Sequence, residues 1–371
     1  MPTRSCCSGI VSLKAYLRIV LLALVGLAAA RASASSVDHR LDIYFVDVEG
    51  GGATLIVTPE GESVLIDSGS PGARDAGRIH AVASEVAGLT RIDFFILTHF
   101  HLDHFGGIAQ LAALMSIGQV YDRGIPLHDP DHNPSDAFFI SVIGPYRSFA
   151  AGGRNLVVPG LVLPLRTAAG GTHASMRCIA SGGKFIEAPK GTKPNPLASE
   201  NSHHDLDPTD NDLSSAWVLD FGPFRFWDGG DLTWNMEGAV VTPVNGVGQV
   251  DVYQVDHHGL GFSNNPVLIH SLAPTVSVMN NGPTKGTAKS TLAALRSSPG
   301  LQAMYQVHKN VRLEDPEDNT APEFIANFAS DPNHLDANFI KLSVDPDGAS
   351  YTVAIPGFGY SRSFQTRQKT Q

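Results

Sequence analysis

The feature that most constrains this chain is the segment LTHFHLDHFGG at residues 97–107, which places three histidines and one aspartate within six residues. It follows the apolar run IDFFIL and precedes the helical pattern GGIAQLAALMS. The cluster is therefore expected on a loop between a buried strand and a helix. Burying these polar side chains without partners would cost several kcal/mol, so the pattern predicts a metal site.

The spacing within the cluster predicts two metal ions rather than one. His99 and His101 are two residues apart, so in an extended segment their side chains point the same way. Asp103 and His104 follow where the chain turns into the helix, and they are expected to face a second point a few ångströms away. Two metal ions about 3.5–4 Å apart can share a hydroxide, so the cluster favours a dinuclear site.

The rest of the chain alternates short apolar runs with turns and helical patterns. LDIYFVDV, ATLIVT and SVLIDSG read as strands, RDAGRIHAVASEVAGL as a helix, and SAWVLDFGPFRFWDGGD and FIKLSVDPDGASYTVAI as hairpins. The segment APKGTKPNPLASENSHHDLDPTDND reads as a long loop, and such loops often form lids or substrate walls. Strands at both ends with helices between them predict an α/β protein, an αββα sandwich formed by one domain at residues 38–360.

The first 34 residues read as an export signal. Arg4, Lys14 and Arg18 precede an uncharged apolar run, and Ala32-Ser33-Ala34 has the small-residue pattern of a cleavage site. The apolar run is too short for a stable membrane span, although an uncleaved N-terminal anchor is the alternative. The chain is therefore expected to be periplasmic or secreted, and the mature chain is expected to have no stable membrane span.

The charge of the mature chain restricts its partners. Removal of residues 1–34 takes away four of the 26 basic residues and none of the 36 acidic ones, which leaves a net charge of −14 with neutral histidines. Such a surface opposes unspecific attraction to nucleic acid or to anionic lipid. Cys178 would be the single cysteine left, so no disulfide framework is expected.

Three motifs of the sequence resemble those of a known family. THFHLDH matches the HxHxDH motif of the metallo-β-lactamase superfamily, and LIDSG and DGGD match its flanking motifs in order. The resemblance implies an αββα fold and a metal-dependent hydrolase. FVDVEGGGATLIVTPEGESVLIDSG and VDVYQVDHHG also resemble the metallo-β-lactamase-like domain of ComEC-type DNA-uptake proteins, without the membrane channel of those proteins.

The resemblance assigns roles to individual residues. It places His99 and His101 on one metal ion and Asp103 and His104 on the other, with Asp231 of WDGGD as the bridging carboxylate. A bridging carboxylate also offsets the repulsion between two dications. The alternative for Asp231 is an N-cap of the helix that follows.

The DHHG motif offers a further ligand. Adjacent side chains at a strand end are expected to point to opposite sides, so one of His257 and His258 ligates while the other faces substrate. His257 is taken as the metal ligand and His258 as a catalytic acid or phosphate contact. Asp67 of LIDSG is expected to orient a ligand through hydrogen bonds.

Two departures from the family pattern leave alternatives open. Many members supply a third histidine to the first metal ion from an upstream loop, where this chain has His203 and His204, but a polar loop is the simpler interpretation. In NNGPTKG, where ComEC-type domains tend to have a histidine, Lys285 or Asn281 is a candidate substrate contact.

The expected reaction is hydrolysis by a hydroxide held between two divalent ions, with Asp103 as a catalytic residue near that nucleophile. Zinc is the expected metal, although iron and manganese accept the same ligands. A phosphoester is the favoured substrate, and the acidic surface speaks against a long nucleic acid. The alternatives are a lactone, amide or β-lactam hydrolase, and a non-catalytic metal-binding module.

Overall fold

The computed structural model describes residues 38–167, 171–328 and 337–367 of the chain. The predicted signal segment lies outside these ranges, so export stays a prediction. Within the described ranges, no helix is long and apolar enough to cross a membrane.

The described strands form two mixed sheets. In chain order they are β1 (Leu41–Phe45), β2 (Thr54–Val57), β3 (Ser63–Ile66), β4 (Arg91–Ile96), β5 (Ser116–Asp122), β6 (Ala151–Leu156), β7 (Ala174–Ser181), β8 (Lys184–Phe185), β9 (Ala216–Phe221), β10 (Phe224–Asp228), β11 (Val252–Gln254), β12 (Val276–Met279), β13 (Ala303–His308), β14 (Ile325–Asn327), β15 (Ile340–Val344), β16 (Ser350–Ile355) and β17 (Tyr360–Gln365). The first sheet has the order β17-β16-β15-β1-β2-β3-β4-β5-β6, and the second has the order β14-β13-β12-β11-β10-β9-β7-β8.

Helices cover the outer faces of both sheets. They are α1 (Ala73–Ala81), which continues as a π-helical turn (Val82–Val86), α2 (Leu102–Phe105), α3 (Ile108–Leu114), α4 (Ala137–Ser148), α5 (Trp234–Val241), α6 (Pro266–Leu272) and α7 (Lys289–Arg296). Apolar side chains of α1, α3 and α4 pack on the first sheet, and those of α5, α6 and α7 pack on the second. The layers are therefore helix, sheet, sheet and helix.

The alternation of side chains along β1 explains how one strand serves two layers. Leu41, Ile43 and Phe45 are buried in the core between the two sheets, where they share a cluster with residues of β9 and β10. Tyr44 instead points into the layer between the first sheet and its helices. Because successive side chains of a strand face opposite sides, a strand buried on both faces is mostly apolar. The buried Asp42 of β1 is the exception, and it is paired with Lys341 at 2.8 Å.

The αββα sandwich predicted from the sequence is confirmed by this layer order. The predicted hairpins are present, because β9 pairs antiparallel with β10 and β15 with β16. The sequence did not predict α4, whose Pro145 lies inside the helix. Proline inside a helical pattern is normally read as a break, which is why the helix was missed.

Candidate metal centre

The candidate residues meet at the carboxyl ends of neighbouring parallel strands. Asp67 follows β3, the histidine cluster follows β4, Asp231 follows β10 and the DHHG turn follows β11. Strands β3 and β4 are parallel in the first sheet, and β10 and β11 are parallel in the second. Both sheets therefore deliver their side chains to the same edge of the sandwich.

The carboxylate of Asp231 lies at the centre of this group and is buried. From its Oδ2 the distances to imidazole Nε2 atoms are 3.1 Å for His258, 3.3 Å for His104, 3.4 Å for His257 and 3.9 Å for His99. Helix α5 has Thr233 at its N-cap position, so the alternative role of Asp231 as that cap is not observed.

Each of these four imidazoles has its other ring nitrogen within hydrogen-bonding distance of a fixed oxygen. The Nδ1 partners are Thr98 Oγ1 for His99 at 3.0 Å, Asp67 Oδ2 for His104 at 2.7 Å, Ser263 Oγ for His257 at 3.0 Å, and the Asn280 carbonyl for His258 at 3.0 Å. This arrangement leaves Nε2 to face the centre, and it is the usual way in which proteins orient metal-ligating histidines.

His99 gives the clearest test of whether a metal ion fits. Its Nε2 is fully buried and has no hydrogen-bond partner among the described residues. A buried ring nitrogen without a partner is costly unless another group satisfies it. The donor set is also right, because His99, His104 and Asp231 bring their ligand atoms within 4.8 Å of one another, as do Asp103, His104 and His258.

Asp103 lies at the more open side of the centre, with 27% of its side chain exposed. Its Oδ2 is 3.7 Å from the Nε2 atoms of both His104 and His258. The same oxygen accepts a hydrogen bond from the Lys285 Nζ at 2.5 Å. Asp103 thus links the histidines to the single cation supplied by the NNGPTKG loop.

His101 is held differently from the other histidines. Its Nε2 lies 2.9 Å from Asp131 Oδ1, and the side chain is 23% exposed. Asp131 Oδ1 also accepts a hydrogen bond from the backbone N–H of Asp210 at 2.8 Å. Asp131 holds Nε2, so Nδ1 is the nitrogen that remains for a metal ion, and neither group of candidate ligands includes His101. The His99 and His101 rings lie 4.6 Å apart between centroids.

The electrostatics of the centre favour the forms that bind metal ions. Burial lowers the pKa of His257 to about 4, and burial together with the neighbouring imidazoles lowers that of His99. Although burial opposes it, the imidazoles of His104, His258 and His257 hold the pKa of Asp231 well below its usual range. Neutral imidazoles and ionised carboxylates are the states that ligate metals.

His104 behaves differently, because carboxylates surround it. Burial disfavours its charged form, but Asp231, Asp67 and Asp103 together raise the pKa of His104 well above its usual value. Without a metal ion, a proton on His104 therefore supplies positive charge between the carboxylates. A metal cation at the same place would supply that charge instead.

The geometry of the DHHG turn corrects one expectation. His257 and His258 do not point to opposite sides, because β11 ends at Gln254 and both residues have left-handed backbone angles, with φ of 51° and 56°. Strand alternation therefore does not apply to them, and both Nε2 atoms face Asp231. The choice of His257 over His258 as the ligand follows from alternation and loses that basis.

The upstream loop does not bring a histidine to the centre. His203 and His204 are both exposed. The ring of His204 stacks on Trp234, with centroids 3.8 Å apart and planes inclined by 12°. Among the described residues, no ligand cluster of the centre includes either histidine.

Several residues that orient the histidines of the centre were not identified from the sequence. Thr98, Ser263, Asn280 and Asp131 each hold an imidazole nitrogen, yet none belongs to a ligand motif. Thr98 gave a local signal, because it directly precedes His99. The other three reach the centre only through tertiary packing, and the sequence contains no spacing that reveals it.

Comparison with known proteins finds a family that part of the chain resembles. The family model of the metallo-beta-lactamase superfamily, a superfamily of metal-dependent hydrolases, matches residues 47–184. The matched residues lie within the sandwich described above, from just after β1 to the start of β8. The match includes Asp67 and the histidine cluster and ends before Asp231 and the DHHG turn. No curated protein matches the sequence.

Several solved structures are similar at low identity. A diphosphatase of the PhnP family is 12% identical over 71% of this chain and 94% of that chain, with a TM-score of 0.37. CmlA, a diiron beta-hydroxylase from Streptomyces venezuelae, is 15% identical over 66% and 45% of the two chains, with a TM-score of 0.36. MEM-A1, a subclass B3 metallo-beta-lactamase from a soil metagenome library, is 15% identical over 71% and 75%, with a TM-score of 0.31. These values support no choice among the three chemistries.

Proposed function

We propose that this chain is a hydrolase that uses two divalent metal ions, with zinc as the first candidate. The observation that carries the proposal is the convergence of four oriented imidazole Nε2 atoms on the buried carboxylate of Asp231. Two groups of candidate ligands lie side by side: His99, His104 and Asp231 in one, and Asp103, His104 and His258 in the other. A single catalytic or structural ion would not need so many donors.

The two half-sites follow the sequence resemblance, which pairs His99 with His101 and Asp103 with His104, and the proximity of the two DHHG histidines to Asp231. His99, His101 through Nδ1, and His257 would hold the first ion, so His257 would take the place of the histidine that the upstream loop does not supply. Asp103, His104 and His258 would hold the second ion. Asp231 would be shared between the two. This assignment makes both histidines of the DHHG turn ligands.

Bound divalent ions would polarise the substrate and lower the pKa of a bound water molecule. The side chains of the protein would orient the attacking water and the substrate. The partly exposed carboxylate of Asp103 would orient the attacking water, and the Lys285 Nζ, 2.5 Å from Asp103 Oδ2, would meet an anionic oxygen of the substrate. The buried imidazoles would keep their orientation because their Nδ1 atoms are held.

A phosphoester is the proposed substrate class. The Lys285 ammonium group lies beside the partly open face of the centre, where it suits a negatively charged ester. The sequence resemblance to ComEC-type hydrolase domains favours the same chemistry. The expected charge of −14 on the mature chain favours a small phosphoester over a long nucleic acid. Export through the segment 1–34 is part of this proposal.

The test combines metal content with a substrate panel. Purified protein would be reconstituted with zinc, iron or manganese, and then assayed on phosphomonoester, phosphodiester, lactone and β-lactam substrates. We expect two ions per chain and turnover of a phosphoester. Less than one ion per chain in correctly folded protein would contradict the dinuclear centre, and turnover of β-lactam or lactone alone would contradict the substrate class.

Asp103→Asn tests the catalytic assignment within the same assay. The amide keeps the size of the side chain but removes the charge that orients the nucleophile, so we expect kcat to fall by about 10² or more. Near-normal turnover with both ions bound would show that the assignment is wrong.

The DHHG assignment needs its own comparison. His257→Ala and His258→Ala should each reduce the number of tightly bound ions from two towards one. His203→Ala is the matched control, because that histidine is exposed while both DHHG histidines are buried. Two tightly bound ions in either DHHG variant, or a loss of metal in the control, would overturn the assignment.

A further inference from the structure

A cavity of about 400 Å³ lies beside the candidate metal centre, between the loop 204–211, the start of α5 and Phe262. The Phe262 ring meets the His257 ring edge-on, with centroids 4.7 Å apart and planes at 83°. Thr233, another residue of the cavity wall, is two residues from Asp231. The cavity therefore adjoins the centre on the side of the DHHG turn.

The wall of the cavity is held in place by hydrogen bonds. Asn235 Oδ1 accepts from the His204 backbone N–H at 3.0 Å, and its Nδ2 donates to the His204 carbonyl at 2.9 Å. Trp234 Nε1 donates to the Ser202 carbonyl at 2.9 Å, and the His204 ring stacks on the Trp234 ring. These contacts fix the long polar loop against α5, so the cavity is formed before any ligand enters.

The lining combines apolar surface with hydrogen-bond acceptors. Leu206 is 76% exposed and Phe262 is 50% exposed, which leaves apolar surface for a ligand to cover. Asp205 and Asp207 add two carboxylates, and among the described residues neither forms an ion pair and no lysine or arginine lines the cavity. The buried Asn211 also lines it, and its Oδ1 has no hydrogen-bond partner among the described residues.

This lining selects against anions. A carboxylate or second phosphate would lie near two uncompensated negative charges, whereas a cation would be attracted by them and by the neighbouring aromatic rings. The Lys285 ammonium group, the candidate contact for the anionic part of a substrate, lies instead at Asp103 of the metal centre. An anionic end of a substrate would thus lie near Lys285 at the metal centre, and a cationic end would lie near the carboxylates of the cavity.

We propose that this cavity binds the organic group of the substrate ester, and that this group is an aromatic or alkyl group carrying an ammonium. The proposal rests on the proposed function for the identity of the ester. The cavity would determine specificity, because it distinguishes cationic from anionic organic groups while the metal centre holds the phosphoryl group.

The test uses three probes of similar shape: benzylammonium, benzyl alcohol and benzoate. Trp234 lies in the cavity wall while Trp217 and Trp227 are fully buried, so quenching of tryptophan fluorescence would report on binding. We expect benzylammonium to bind about 5–10-fold more tightly than benzyl alcohol, because partly exposed carboxylates contribute modest attraction. Benzoate should bind most weakly, and equal or tighter binding of benzoate would overturn the proposal.

Variants assign the effect to the cavity. Asp205→Asn combined with Asp207→Asn should remove most of the preference for benzylammonium over benzyl alcohol, and Phe262→Ala should weaken all three probes. Glu187→Gln is the matched control, since Glu187 is exposed directly before the long loop 188–212 and does not line the cavity. An unchanged preference in the double variant would show that the cavity is not the binding site.

The same probes separate this proposal from the proposed function. Their binding is measured without turnover, so it succeeds or fails whether or not the protein hydrolyses a phosphoester. If phosphoester turnover is found, benzylammonium should inhibit it competitively, and the double variant should weaken that inhibition. Inhibition that persists unchanged in the double variant would place the probe elsewhere.

Discussion

Asp67 is the carboxylate on which the orientation of the first-sheet histidines depends. Its Oδ1 accepts from the Thr98 backbone N–H at 2.9 Å, while its Oδ2 accepts from Thr98 Oγ1 at 2.8 Å and lies 2.7 Å from His104 Nδ1. Thr98 Oγ1 in turn contacts His99 Nδ1. One side chain thus orients one imidazole directly and a second through a hydroxyl.

Asp67→Asn should weaken metal binding without removing a ligand. The amide cannot supply the charge that orients His104, so we expect metal affinity to fall by about 10–100-fold. Competition with a chromophoric chelator would measure it, with thermal unfolding to confirm the fold. The control is Asp347→Asn, whose Oδ1 accepts a turn N–H from Ala349 far along the chain. Equal affinity in wild type and Asp67→Asn would reject this role.

Lys285 offers a second test at the same scale. Lys285→Met keeps the length of the side chain but removes the ammonium group, so we expect KM for an anionic ester to rise about 10-fold, or roughly 1.4 kcal/mol. The effect on kcat should be smaller. Lys289→Met is the matched control, because Lys289 is exposed at the start of α7. A fall in kcat with unchanged KM would assign Lys285 to the chemical step instead.

The sequence was informative about the residues that could ligate and uninformative about those that hold them. His99, His104 and Asp231 could be recognised because their spacing and motifs are local. The partners of other ring nitrogens come from separate segments of the chain, as the Asn280 carbonyl does for His258 and Asp131 does for His101. Such contacts depend on tertiary packing, which local spacing does not encode.

At the scale of elements, the loop between β1 and β2 packs directly against residues of the candidate metal centre. In the sequence EGGG, a Cβ on Gly51 would overlap the Asp103 carbonyl, and one on Gly52 would lie 2.8 Å from Asp67 Oδ2 and 2.9 Å from His104 Nδ1. The glycines are therefore required by close approach of the backbone to the ligand loop. This explains a motif that the sequence showed only as a turn.

Gly52→Ala should displace the Asp67–His104 pair. We expect destabilisation of about 1–3 kcal/mol from overpacking, together with weaker metal binding. Gly144→Ala in α4 is the control, because a Cβ there meets no atom within 4 Å and should stabilise the helix by about 0.5–1 kcal/mol. Denaturant unfolding and metal titration of both variants would check this. A Gly52→Ala protein with normal stability and normal metal affinity would contradict the close-packing argument.

The DHHG turn shows why a strand rule failed at an element boundary. The apolar pattern of VDVYQVD suggested a strand running up to the histidines, but β11 ends at Gln254. His257 and His258 then both have left-handed backbone angles, so their side chains do not alternate between the two faces as those of a strand would. Non-glycine residues rarely adopt such angles, so sequence rules give them little weight.

At the scale of the whole molecule, the layer order followed from the alternation of strand and helix patterns, while the strand order did not. Hydrophobic periodicity identifies faces, and it therefore predicts that two sheets pack against each other under helices. It carries no information on which strands are neighbours across long separations, such as β1 beside β15.

Global stability should depend on pH through a buried carboxyl pair in the second sheet's helical layer. Glu237 is fully buried and accepts two backbone N–H groups, from Asn264 at 2.8 Å and Asn265 at 2.7 Å. Burial raises the pKa of Glu237 to about 7, and burial beside Glu237 raises that of Asp256. The folded protein therefore retains protons here that the unfolded chain loses near pH 4–5.

The free energy of unfolding should accordingly fall as pH rises through about 7, by roughly 1–3 kcal/mol. Asp256→Asn removes the carboxyl group whose pKa is raised by burial beside Glu237, so the stability of this variant should vary less with pH. Urea unfolding from pH 5 to 8.5 would compare the two proteins. The rest of the chain is the same in both proteins, so the difference between the curves isolates the carboxyl pair. Parallel curves would exclude this origin.

The pairing of β1 with β15 governs when the molecule can be completed during synthesis. Leu41 pairs with Val344, so nearly the whole chain must leave the ribosome before the first sheet can close. Pairings between such distant segments form slowly, because the intervening chain must first be ordered. The histidines after β4 are also synthesised long before Asp231 and the DHHG turn. Tight binding of metal would therefore require synthesis at least as far as His258, and a shorter chain would leave the histidines after β4 without their ligand partners from the second sheet.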